Sequence, residues 1–258
     1  MKWSSGLDEV LLSRIEDASL NASAPPQQRW LDGWLVRTSP GKAKRARCIN
    51  AVAAGRLPLD ERLRLATAVF DEAGLPMVVR LTPFSQPPDL DAQLAQRGFA
   101  PLEDVRVLVC KTLPTAEPPA LPPGTRWTPL GAAAFAEAVG DLRGSPPEQR
   151  LAHAERVAGS PVPYSGFAMC RASDGLVLAC GQFAREAELV GLYDIFTREN
   201  QRGQGFASLI CKHLLTLAAN EGAKTAYLQV ESNNLSAWRI YEALGFVEGY
   251  RYWYRHPA

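Results

Sequence analysis

Apolar residues recur along the second half of the chain at two periods, and the switches between them mark its elements. Phe206, Leu209, Ile210, Leu214, Leu217 and Ala218 fall on one helical stripe, which predicts a helix running to about Glu221, with Gly222 placed to end it in a left-handed cap. Ahead of that helix, TRWTPL (125–130) reads as a strand, GAAAFAEAVGDL and PEQRLAHAERVA as two helices, and YSGFAMCRA, GLVLACGQFA and ELVGLYDIFT as three strands. Asp174-Gly175, between the first two of those strands, is a hairpin signal. Beyond the helix come a strand, KTAYLQV, and a second helix within NNLSAWRIYEALGF, capped by Asn233 or Asn234 and stopped at Gly245. An aromatic-rich strand, VEGYRYWYR, closes the chain.

The first half ends on the same signals. LDERLRLATAVFDEAGLPMVVRLTPFSQPPDLDAQLAQRGFAPLEDVRVLV gives helix, glycine stop, strand, short helix, Gly-Phe and strand. Gly74 answers to Gly222, MVVRL to AYLQV, and Gly98-Phe99 to Gly245-Phe246. This weak internal repeat favours duplication over two unrelated α/β units that share common helix stops. The halves differ at one place: the second has RGQGFA where the first has AGRLPLDERL, with one glycine and a proline. Between them LPTAEPPALPPG (113–124) carries Pro114, Pro118, Pro119, Pro122 and Pro123, too dense for a helix or a central strand, and reads as a stiff linker. The expected division is a first unit, 1–112, a linker, 113–124, and a second unit, 125–258.

At 258 residues the chain can form one large domain or two small ones. A formal net charge of +1 gives no bulk field for nucleic acid or an anionic membrane, so neither is an expected partner. No apolar run approaches the roughly 18 residues of a membrane span. Asp8, Glu9, Glu16 and Asp17 stand where a signal peptide needs an apolar core, so a cytoplasmic location is expected. Cys48, Cys110, Cys170, Cys180 and Cys211 form no C-x-x-C pair and sit mostly among apolar neighbours, as small core residues in a reducing compartment do. His153, His213 and His256 are scattered, and no metal site is expected.

The segment NQRGQGFASLI (200–210) lies between a strand and a helix. A glycine-rich turn there exposes backbone N–H groups in one direction, and the helix start adds partial positive charge, so the loop suits an anion and most naturally a phosphate. Gly203 and Gly205 let backbone approach the ligand, and Arg202 adds a cation. Gly-x-Gly alone is weak, since a tight turn can merely start a helix. The dinucleotide fingerprint fails because its last glycine is Ser208, and the nucleoside-triphosphate loop fails because no Gly-Lys-Ser/Thr follows.

The pattern Arg202, Gly203, Gln204, Gly205, Phe206, Ala207 resembles the pyrophosphate loop of the GNAT superfamily of acyl-CoA N-acyltransferases. NLSAWRIYEALGF resembles a later segment of that family, with Asn234, Ala237, Tyr241, Glu242, Gly245 and Phe246 in register. The resemblance covers 125 to the C-terminus. Asn200 departs from it, standing where Gln or Arg is usual. The stretch RIEDASLNA to RARCINAV is similar to two-domain bacterial members, in which a degenerate half precedes an active one. The resemblance implies an α+β tandem GNAT-like fold: a mixed, mostly antiparallel sheet flanked by helices, with central strands splayed apart. It implies acetyl-CoA as cosubstrate, with pyrophosphate on the loop. The pantetheine arm would act as an added strand along Ile195, Phe196 and Thr197, and Asn234 and Tyr241 would also line the cofactor site.

Acetyl transfer needs a neutral amine and a proton for the departing thiolate. The resemblance gives Tyr241 the second task; as a bare residue it shares a helix stripe with Ala237 and Leu244 and could be core. Asp194 lies in the apolar run LVGLYDIF and, by alternation, shares a face with Val190, Leu192 and Phe196. Burial there would raise its pKa and suit a base, while an arginine partner would make it structural. Glu231 is the second candidate base. GKAKRAR (41–47) is a dense basic run that could meet an acidic substrate or a nucleic acid, but strand-like flanks make it read as a solvated hairpin face. Tyr250, Tyr252 and Tyr254 alternate on one strand face and Trp253 takes the other; they line an acceptor pocket or simply cover the sheet. The expected activity is N-acetyl transfer to a primary amine, whether small molecule, amino acid or peptide N-terminus. The alternative is a non-catalytic acyl-CoA-binding or scaffold protein. Monomer and homodimer are both open.

Overall fold

The computed structural model describes residues 6–114 and 117–258, so part of the proline-rich linker, 115–116, lies outside the described residues. The first half holds α1 (Glu9–Ala22), β1 (Gln28–Leu31), β2 (Trp34–Arg37), β3 (Ile49–Ala51), α2 (Leu59–Glu72), β4 (Val79–Leu81), α3 (Leu90–Gln96) and β5 (Phe99–Cys110). The second holds β6 (Thr125–Leu130), α4 (Ala132–Arg143), α5 (Pro147–Ala158), β7 (Tyr164–Arg171), β8 (Val177–Glu186) and β9 (Leu189–Thr197). It continues with α6 (Phe206–Asn220), β10 (Thr225–Glu231), α7 (Leu235–Ala243) and β11 (Val247–Pro257). The elements read from the second half are all present, and Asn234 is the residue that caps α7, its Oδ1 accepting from the Ala237 amide at 3.2 Å.

All the strands join one sheet in the order β1-β2-β3-β4-β11-β5-β10-β9-β8-β7-β6. The pairs β3/β4 and β9/β10 are parallel and the others antiparallel, giving the mixed α+β architecture expected. Periodicity could not give the strand order. The closing strand of each half has crossed into the other: β11 pairs with β4, β5 pairs with β10, and β5 and β11 pair with each other from Val247 opposite Val109 to Pro257 opposite Phe99. The two halves share their central backbone ladder.

Alternation along the central strands sorts side chains onto two faces. Ala226, Leu228 and Val230 of β10 and Val190 and Leu192 of β9 pack with Ile210 and Leu214 of α6 and Phe246. Tyr227, Tyr193, Tyr250, Tyr252 and Tyr254 point the other way and pack with Leu12, Ile15 and Ala18 of α1. Ile210 and Leu214 are fully buried; each such side chain contributes about 1.5–3 kcal/mol, enough to fix where the start of α6 lies. In the first half α2 and α3 cover Val79, Leu81 and Trp34, with Trp253 packed against that cluster. Helix α1 bridges the halves. Glu16 takes a two-pronged ion pair from Arg80 of β4 and a hydrogen bond from the Tyr250 hydroxyl, while Ser19 takes one from Gln229 of β10.

Candidate active site

The expected glycine turn is built at the start of α6. Gly203 and Gly205 have φ of +81° and +79°, in the left-handed region that favours glycine. Gly205 is the N-cap residue, and no side chain caps the helix, so its first N–H groups face outward with the positive end of the helix dipole. A Cβ built on either glycine would meet nothing within 4 Å; the space in front of the loop is free of protein. Arg202 and Gln204 flank it, exposed. Arg202 lies 5.8 Å from the centre of the Phe196 ring, and Gln204 donates to Gln201 at 3.1 Å. Phe206 turns inward to the core, so only its backbone is available, and Ala207 is half-buried.

The parallel pair β9/β10 then opens. Leu189, Val190 and Gly191 pair with Thr225, Ala226 and Tyr227, and the register ends there, although β9 continues to Thr197 and β10 to Glu231. These are the splayed strands expected. A bulge in β9 assists the divergence: Tyr193 pairs with Gln182 and Phe196 with Cys180, leaving Asp194 and Ile195 opposite Gly181. The opening leads into a cleft of about 590 Å³ lined by Ile195, Phe196, Leu228, Glu231, Asn234 and Tyr241 of the second half and by residues of the first. Thr197 stands at the end of β9, its hydroxyl buried without a partner.

Tyr241 is 9 % exposed and packs with α6 and Phe246, 6.0 Å between ring centres. It belongs to the core and to the cleft wall at once. Burial pushes its phenol pKa up, so the hydroxyl keeps its proton across the neutral range. Glu231 is exposed at the end of β10. Asn234 has committed its side-chain oxygen to the cap of α7, accepting from Ser236 Oγ at 3.0 Å as well as from Ala237.

Asp194 differs from its sequence reading in two respects. The bulge gives it φ +54° and carries it off the face of Val190 and Leu192, towards α4 and α5. There Arg143 Nη2 donates to Oδ1 at 2.8 Å, Gln182 Nε2 donates to Oδ2 at 2.7 Å, and His153 Nε2 lies 3.2 Å from Oδ2. Burial pushes its pKa up, as expected, but the Arg143 charge, the His153 hydrogen bond and Arg156 outweigh that and hold the carboxyl well below the usual carboxylate range. The raised pKa expected of a buried base is therefore corrected. Arg143, His153 and Gln182 were not legible: nothing in the spacing of α4, α5 and β8 ties them to position 194, and only a bulge brings them there.

The basic run is also corrected. GKAKRAR forms a single 3-10 turn, Lys44–Ala46, between β2 and β3, and Lys42, Lys44, Arg45 and Arg47 line the cleft instead of forming a solvated face. Arg45 reaches the Tyr252 hydroxyl at 3.3 Å and lies 5.9 Å from the Tyr193 ring centre. Tyr252 and Tyr254 line the same cleft, while Tyr250 is committed to Glu16. A dense basic run and a strand of alternating tyrosines were the available signals; the crossed strands that bring them together were not.

Residues 136–246 match the model of the acetyltransferase (GNAT) family, and the span holds α6 with its loop, the opened strands and Tyr241. That stretch of the chain carries the sequence pattern of a GNAT acetyltransferase domain. Over 221 residues the chain is 24% identical to the uncharacterized N-acetyltransferase YobR of Bacillus subtilis (strain 168), covering 85% of this chain and 87% of that one. Its fold is similar to that of a GCN5-related N-acetyltransferase from Kribbella flavida, with a TM-score of 0.67 at 16% identity over 95% of each chain. It is also similar to a tandem GNAT protein from the clavulanic acid biosynthesis pathway, with a TM-score of 0.59 at 14% identity, covering 78% of this chain and 70% of that one. Among the described residues no helix is long and apolar enough to cross a membrane.

Proposed function

We propose that the chain transfers an acetyl group from acetyl-CoA to a primary amine, with 125–258 as the catalytic unit and 1–112 as a degenerate partner that walls the acceptor side. The supporting observation is one line of features: the uncapped, open start of α6, the parted strands β9 and β10, and Tyr241 on the wall of the cleft behind them. Backbone N–H groups from Gly203 to Ala207 would hold pyrophosphate, with Arg202 beside them. The backbone of Ile195, Phe196 and Thr197 would take the pantetheine amides as a sheet edge takes an added strand. When bound, the cosubstrate supplies the activated acetyl group. Tyr241, held protonated by burial, gives its proton to the departing sulfur.

The proton on the amine needs a different group. Asp194 binds protons too weakly. Glu231 is the carboxylate of the cleft that pairs with no cation among the described residues, whereas Glu103 is taken by Lys44 and Asp194 by Arg143. Glu231 is therefore assigned the base role, directly or through water, and Asp194 positions α4 and α5.

The activity is tested by free thiol release from acetyl-CoA across a panel of primary amines. Release with none of them, despite tight binding of coenzyme A, would favour a non-catalytic acyl-CoA-binding protein. In an active enzyme, Glu231→Gln should remove the acidic limb of the pH–rate profile and lower kcat/KM by about 10²–10⁴ above that limb. Asp194→Asn should leave the limb in place, and its disappearance there instead would return the base role to Asp194.

A further inference from the structure

The acceptor side of the cleft is rich in cations that the protein itself does not neutralise. Lys44 is paired with Glu103, and Arg143 with Asp194. Lys42, Arg45 and Arg47 form no ion pair among the described residues, against the single unpaired carboxylate of Glu231. A cleft with one sign of charge and low-dielectric walls concentrates ligands of the other sign.

Arg45 is the sharpest of these groups. Its Nε is buried and has no hydrogen-bond partner, and the bond from its Nη1 to Tyr252 is long, at 3.3 Å. Buried donors are nearly always bonded, so a guanidinium left unsatisfied on the cleft wall marks a place for an acceptor from outside. A guanidinium offers the planar fork that a carboxylate or phosphate takes with two parallel hydrogen bonds. The fork is held in position: the turn that carries it is pinned where the Ser39 amide donates to the Ala46 carbonyl at 2.9 Å, and Tyr193 lies under the guanidinium.

Arg45 is not placed for the cofactor phosphates. Tyr193 and Tyr252, which Arg45 touches, belong to the cluster on the face of the sheet opposite α6 and its loop. Anything bound by Arg45 approaches the parted strands from the other side.

Resting on the acetyl-transfer reading above, we propose that the acceptor is an amine that also carries an anionic group, a carboxylate or a phosphate, and that Arg45, aided by Lys42 and Arg47, receives that group. The first half is then a specificity element, supplying the charge that selects the acceptor while the second half supplies the chemistry.

Matched amines test this: β-alanine against β-alaninamide, and phosphoethanolamine against ethanolamine. The expected result is a kcat/KM about 10–100-fold higher for the anionic member of at least one pair; which pair shows it separates carboxylate from phosphate. Arg45→Gln should shrink that ratio about tenfold or more, through KM more than kcat. Should Arg45→Gln not fold, the double variant Lys42→Gln/Arg47→Gln makes the same test at less buried positions. Equal rates within both pairs would overturn the proposal and leave the acetyl-transfer reading standing. A fall in coenzyme A affinity as large as the fall in the ratio would place these cations on the cofactor and also overturn it. If no amine is acetylated, calorimetry with glutarate and with inorganic phosphate on the coenzyme A-loaded chain decides. Binding of either that is lost in Arg45→Gln sustains the anion site without the enzyme, and binding of neither sinks it.

Discussion

The start of α2 and the start of α6 occupy corresponding places in the two halves and do opposite things. At α6 the amides face open space. At α2 the protein has filled the same position with its own carboxylate: Asp32 Oδ1 and Oδ2 lie 2.9 Å from the Arg56 amide, and Oδ2 accepts from Leu57 at 2.8 Å. Counting back from the matched stops Gly74 and Gly222, Gly55 stands where Gly203 does. A Cβ on Gly55 would lie 2.1 Å from Asp32 Oδ2, whereas one on Gly203 would meet nothing. The strand gap is treated likewise. Past Gly191 the edge of β9 parts from β10, but at the end of β3 the Ala51 carbonyl accepts from the Gln86 amide at 2.9 Å. Four residues before Gly245 stands Tyr241, facing the cleft; four before Gly98 stands Leu94, fully buried. The turn before a helix can hold an anion. In the first half the turn just ahead of α2 holds an internal one, Asp32, and is closed.

The largest effect expected from this contrast is at Gly205. Gly205→Asp places a carboxylate in front of α6 much as Asp32 stands in front of α2, and calorimetry should show coenzyme A binding abolished. Titration of the unaltered chain should give one site per chain. Two sites would break the contrast, as would an unchanged affinity in Gly205→Asp.

Next is Tyr241→Phe, which removes the hydroxyl that separates α7 from its Leu94-bearing counterpart while keeping the packing with Phe246. Turnover should fall by about 10²–10⁴ with coenzyme A affinity nearly unchanged. Wild-type turnover, with chemistry shown to limit the rate, would reduce Tyr241 to the core residue that Leu94 is.

A third contrast lies under α1, where Glu16 binds Arg80 in the first half and Ser19 binds Gln229 in the second. Glu16→Ala leaves Arg80 buried and unpaired, and chemical denaturation should show a loss of about 3–5 kcal/mol. Ser19→Ala should cost only about 0.5–1.5 kcal/mol. Burial pushes the Glu16 pKa up, but Arg80 and Tyr250 outweigh it and the net shift is downward. The contribution of Glu16 is thus present above its unfolded pKa and lost as pH falls through the folded one, so the gap between the two variants should narrow in acid. A gap independent of pH would mean that packing, not charge, anchors the first half.

The smallest effect belongs to Asp32→Ala. The Arg56 and Leu57 amides lower the Asp32 pKa below its ordinary 3.8, with the Arg62 charge assisting. Its stabilising effect is therefore complete above that value and disappears as pH falls through the folded pKa. Thermal melts of Asp32→Ala and the unaltered chain should differ at neutral pH and converge in acid, with coenzyme A affinity the same in both. A second coenzyme A bound by the variant would show that Asp32 alone separates the loops.

Helix and strand identities, the repeat and the glycine turn before α6 were written locally. Glycine at 203 and 205, the stripe from Phe206 to Ala218 and the Asn234 cap each act within a few residues, where backbone sterics and side-chain spacing decide. What the sequence could not determine depended on residues far apart in the chain. No local preference says that β5 will pair with β10 and β11 with β4, since strands with the same alternation fit either neighbour; burial of both faces across the whole sheet chooses. One bulge opposite Gly181 moved Asp194 from an apolar face to Arg143, His153 and Gln182, and the sign of its pKa shift turned with it. The same crossing of strands set GKAKRAR of the first half over Tyr193 and Tyr252 of the second, turning an apparently solvated charge run into the wall of a cleft. Coulomb interactions depend on distance and dielectric, and only the tertiary structure supplies either.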